Sequence, residues 1–119
     1  MKRSADFSRL LETFFLDRPL QQRRASPYTI ASYRDTFRLL LVFAQKRLKK
    51  APSVLRLEDL DAPLISAFLD HVEKERGNSP RSRNVRLAAI RSFFRYAALQ
   101  EPKHAGLIQR VLAMPNKRF

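Results

Sequence analysis

The sequence predicts an all-α domain. Two features carry that expectation: apolar residues recur at helical period, and the seven prolines fall almost entirely where helices would start or stop. At 119 residues the chain has the length of one domain with one core. Its 45% apolar against 29% charged content is too hydrophobic for a disordered basic tail.

The first helix is expected from about Asp6 to Asp17, with Phe7, Leu10, Leu11, Phe14 and Phe15 at i, i+3, i+4, i+7 and i+8, ending before Pro19. Ser26-Pro27 opens the second: a hydroxyl cap, then a proline whose missing N–H costs nothing in a first turn. Its stripe is Ile30, Tyr33, Phe37, Leu40, Leu41, Ala44 and Leu48, and Ala51-Pro52 should stop it. Arg56 to Leu60 reads as a connector to a third helix capped by Asp61, with Leu64, Ile65, Phe68, Leu69 and Val72 inward and Gly77 as terminator. Ser79-Pro80 repeats the start signal for a fourth helix, whose apolar side is Leu87, Ile90, Phe93, Phe94 and Ala97. A fifth, shorter helix spans about Lys103 to Ala113, and the chain from Pro115 is a tail.

Composition excludes several function classes. Without cysteine there are no disulfides, thiolate zinc sites or cysteine nucleophiles, and His71 and His104 are too few for a metal cage; no metal or other cofactor is expected. His71 reads as a partly buried packing residue and His104 as lying near a helix start. Two glycines cannot build a phosphate-cradling loop, so no nucleotide or other small-molecule substrate is expected. Apolar runs fall short of a membrane span and nothing near Met1 resembles a signal peptide, which predicts a cytoplasmic protein without a membrane partner.

Charge carries the functional signal. The net charge is +13, distributed unevenly. Residues 18–56 carry ten basic groups against one acidic and residues 76–119 ten against one, whereas residues 57–75 carry one basic against six acidic. The second and fourth helices are therefore the basic ones. In the fourth, Asn84, Ala88, Arg91 and Arg95 fall on one stripe while Arg81, Arg83 and Arg86 crowd the first turns, with no acid between Arg76 and Glu101. In the second, Arg34 and Arg38 flank the core stripe, with Gln45 and Lys49 further along. Like-signed arginines lacking countercharges repel one another unless an anion neutralises them, and two such helices side by side suit the phosphates of double-stranded DNA. Phe93-Phe94 reads as core filling rather than a base-stacking pair, and Tyr28 and Tyr33 as packing residues with a hydroxyl near phosphate.

The run Ser26-Pro27-Tyr28-Thr29-Ile30 with Tyr33, the connector Leu57-Glu58-Asp59-Leu60, and above all Leu87-Ala88-Ala89-Ile90-Arg91-Ser92-Phe93-Phe94-Arg95-Tyr96 resemble the N-terminal core-binding domain of tyrosine recombinases, the phage-integrase family. The resemblance covers about Leu10 to Phe119. It implies a SAM-like orthogonal bundle of four to five helices that clamps one face of a recombination half-site during DNA integration and recombination, with the second and fourth helices facing the DNA. Thr29 and Tyr33 match the family's pattern in helix two, and Asn84, Arg86 and Arg91 that in helix four. Residues 1–114 would be the core-binding domain, and 115–119 the start of a linker to a C-terminal catalytic domain absent from these 119 residues. The fragment itself is then expected not to be an enzyme, its parent being a tyrosine-type strand-exchange recombinase. Homo-oligomers could assemble on DNA through the first and last helices.

Two other functions fit a basic helical domain. A helix-turn-helix regulator would set its recognition helix after a short turn, but here a whole acidic helix separates the basic ones. A helical adaptor would instead bind an acidic protein.

Overall fold

The computed structural model describes residues 6–16, 26–75, 77 and 79–117. Among these it is an all-α bundle: α1 (Phe7–Leu16), α2 (Pro27–Leu48), α3 (Ala62–Glu75), α4 (Pro80–Gln100) and α5 (Ala105–Leu112), with short 3-10 turns at Pro52–Val54, Leu57–Asp59 and Pro102–His104. The five expected helices are all present. Asp17 and Pro19, expected to close the first, lie outside the described residues.

The start signals work as the side-chain chemistry dictates. The Ser26 hydroxyl accepts from the Thr29 N–H at 3.1 Å, Ser79 accepts from Ser82 at 3.2 Å, and the Asp61 carboxylate accepts from Leu64 at 3.0 Å. Gly77 takes φ +61° after α3, the left-handed conformation that a residue without Cβ adopts freely. The end of α2 departs from expectation. Lys49, not Ala51-Pro52, terminates it, in the left-handed region at φ 56°. Pro52 opens the next 3-10 turn instead.

The core forms around aromatic rings. Phe93 on α4 lies edge-on to Phe7 at 5.4 Å and Phe14 at 5.6 Å from α1, and meets Phe37 of α2 at 5.5 Å. Phe94, also sealed from solvent, packs at 5.4 Å, so the adjacent pair fills the core as expected. The segment from Ala51 to Leu60 is more than a connector. Leu55, Leu57 and Leu60 are buried, and this segment receives the start of α1: the Phe7 N–H donates to the Leu55 carbonyl and the Ser8 hydroxyl to that of Pro52. Its leucines, two and three residues apart, match neither regular period and gave no sequence signal. The fifth helix starts two residues later than expected, behind the 3-10 turn, and buries Ile108 and Val111.

Phe93→Ala removes the ring shared by three helices. It is expected to cost about 3–5 kcal/mol of unfolding free energy, read from denaturant midpoints, with little loss of helical content in the folded state.

Candidate nucleic-acid interface

The ten side chains singled out in the sequence fall into distinct environments. Arg83 and Arg86 occupy core-side positions in the first turns of α4, above the apolar residues, and their heads turn to acids on other helices. Arg83 donates to Asp70 at 2.6 Å and Glu73 at 3.2 Å on α3, and its side chain is 13% exposed. Arg86, 14% exposed, donates to the Asp35 carboxylate and the Thr36 hydroxyl on α2, both at 3.3 Å. Along the chain no acid lies between Arg76 and Glu101. Countercharges arrive across the bundle.

A second pair is held by the chain's own tail. Asn84 donates from its amide nitrogen to the Lys117 carbonyl and accepts from the Lys117 N–H, both at 2.8 Å. Arg91 donates to the Asn116 side-chain oxygen at 2.9 Å and to the Met114 carbonyl. Lys117 then reaches Glu73 at 2.7 Å, so residues 114–117 form a strap from the flank of α4 to α3. Arg91 is half-buried beneath it rather than free on a stripe.

Arg34, Arg38, Arg81 and Arg95 are exposed. Arg34 lies over the Phe15 ring at 5.7 Å, and Arg38 pairs with Asp35 at 2.8 Å yet keeps its side chain 70% exposed. Thr29 and Tyr33 are half-buried: the Thr29 hydroxyl meets the Ser26 cap at 3.1 Å, and Tyr33 packs against the core. Tyr28 corrects the expectation of a packing role, since it is 84% exposed at the start of α2, on the side of the helix opposite the core stripe. His71, expected to be partly buried, is exposed, its ring tilted against that of Phe43 with centroids 5.1 Å apart.

The outer faces of α2 and α4 are consequently cationic. The one acid on α2, Asp35, is shared by Arg38 and Arg86, and α4 has none. Hydrogen bonding from Arg38, with Arg86 adding to it, holds the Asp35 carboxyl below its ordinary value against the opposing effect of burial. Lys117 and then Arg83 do the same for Glu73. Among the described residues no cluster of His, Asp or Glu could hold a metal, and no helix is long and apolar enough to cross a membrane.

A helical bundle with cations over the outer faces of two helices and acids gathered on a third defines the class as a basic all-α module. Residues 13–101 match the family model of the phage integrase N-terminal SAM-like domain, and the chain belongs to that family. The resemblance drawn from the sequence is thereby borne out. Two curated proteins of Sinorhizobium fredii are similar to the chain. One, named "Putative integrase/recombinase y4rC", is 62% identical over the whole chain, and the other, "Putative integrase/recombinase y4rD", is 53% identical over 92% of it. The chain spans 36% and 39% of their lengths. No solved structure matches it.

Two expectations follow. Because the folded-state pKa values of Asp35 and Glu73 are depressed, their contribution is complete above the ordinary carboxylate range and lost as pH falls through the lowered values. The stability gap between wild type and Asp35→Asn, from denaturant titrations, should therefore narrow from neutral pH to about pH 2.5. Separately, Asn84→Ala should speed hydrogen exchange at the Lys117 amide roughly two- to tenfold, the worth of one hydrogen bond, measured by NMR.

Proposed function

We propose that this chain is the duplex-binding arm of a site-specific tyrosine recombinase, laying the outer faces of α2 and α4 on one face of a recombination half-site. The observation that carries this reading is the sorting of charge. The half-buried heads of Arg83 and Arg86 are paired with Asp70, Glu73 and Asp35, while Arg34, Arg38, Arg81 and Arg95 keep exposed side chains on α2 and α4. Cations spread over two helices suit the paired phosphate rows that border a DNA groove. Arg83 and Arg86 act here as positioning residues, fixing α4 against α3 and α2. Thr29 lies at the start of α2, where a hydroxyl and the first-turn N–H groups suit a phosphate oxygen, and Tyr33 sets the register of that helix.

Family membership supports the same reading, and the two relatives are named as integrases or recombinases. In this proposal the arm supplies affinity and placement in the cytoplasm, copies of it occupy adjacent half-sites, and strand exchange belongs to a catalytic domain reached through the segment following residue 114. Neither a cofactor nor a small-molecule substrate enters the arm's role.

With four to six phosphates neutralised, the logarithm of the duplex association constant should fall against the logarithm of salt concentration with a slope of about −4 to −5. Fluorescence anisotropy on a labelled duplex measures it, with an acidic polypeptide of equal charge as comparator. A slope near zero, or equal affinity for the polypeptide, would sink the reading.

A further inference from the structure

The outer face of α4 has a chemical layout that the charge argument leaves unused. Projected at about 100° per residue, Arg81, Val85, Ala88, Arg95 and Leu99 share one direction and are exposed, while Ser92, which projects with them, is buried. Neither the rest of the bundle nor the strap covers that direction at Val85, which is 48% exposed, or at Ala88, also exposed. Single exposed aliphatic residues are ordinary on protein surfaces. Here, however, a valine and an alanine sit one turn apart at the middle of a stripe with exposed arginines on both sides. Arg81 and Arg95 stand about 21 Å apart along the axis.

That is the profile of a helix lowered into the major groove, which is about 12 Å wide and admits an α-helix. The arginines at its ends can reach phosphates while the small apolar centre meets base edges. The apolar group on the floor of that groove is the thymine C5-methyl, and aliphatic side chains recognise it by excluding water from it. We propose that Val85, supported by Ala88, is a specificity-determining residue that reads a thymine methyl in the half-site. This inference rests on the duplex-binding reading above and names the base chemistry that the reading leaves open.

The test uses the 119-residue chain. A preferred duplex is selected from a random pool, and each of its thymines is then replaced singly by deoxyuridine, which removes the methyl and nothing else. Wild type should lose about fourfold in affinity at one position, the worth of one methyl group returned to water. Val85→Ala should bind the thymine duplex about that much more weakly and be indifferent to deoxyuridine at that position, with an unchanged melting temperature. Val54→Ala, an exposed valine distant from α4 in sequence, should keep the full sensitivity. If no thymine is sensitive, or Val85→Ala keeps the wild-type sensitivity, the inference is overturned while duplex binding stands. Failure of wild type to bind duplex at all would overturn both.

Discussion

Phe93 lies where α1, α2 and α4 meet, and the facing of the basic side chains of α4 follows from how that ring is enclosed. Phe7 and Phe14 approach it edge-on from α1 and Phe37 from α2, all fully or almost fully buried. Edge-to-face pairs favour particular orientations as well as burying area, adding about 0.5–1.5 kcal/mol each beyond burial. Fixing the rings fixes the rotation of α4 about its axis. Once Phe93 points inward, Arg81, Val85, Ala88 and Arg95 must point outward, while Arg83 and Arg86 are carried to the core side, where an unpaired guanidinium would be costly.

The acidic third helix resolves that cost. Asp70 and Glu73 receive Arg83, and Asp35 of α2 receives Arg86, so the inward-facing charges end in pairs joining α4 to both neighbours. Burying one member of such a pair while the other stays wetter lowers the desolvation penalty relative to a fully buried bridge. The negative segment between two positive ones is thus part of the architecture, retaining basic residues where the fold needs a brace and leaving others exposed.

The helices were legible because their signals are local. Ser-Pro at two starts, Asp61 at a third and Gly77 at a stop each act within one turn; the apolar stripe of α3 matched its buried face residue by residue, and that of α4 is buried together with Ala89, Ser92 and Tyr96, which the stripe did not include. What escaped was nonlocal. The partners of Arg83 and Arg86 lie on other helices, and the docking of residues 114–117 on Asn84 and Arg91 joins positions far apart in the chain. Helical projection could have separated Arg83 and Arg86 from Arg81 and Arg95, since the two sets differ in direction by well over a quarter turn. Counting cations per segment erased that difference. Lys49 in a left-handed terminator had no signal, since glycine or asparagine is the usual residue there.

The aromatic junction also sets the order in which the parts can come together. During synthesis Phe7 and Phe14 leave the ribosome first, Phe37 follows, and the ring that all three surround is made only after α3 is complete. Until then α1 has only α2 and the buried leucines after Pro52 as partners, and its apolar stripe is satisfied in part. Native-like closure therefore waits on a contact between near-opposite ends of the chain, the kind of long-range step that slows folding and exposes apolar surface meanwhile. Because α1 precedes α4 in the chain, its apolar stripe is made before the ring that completes its burial.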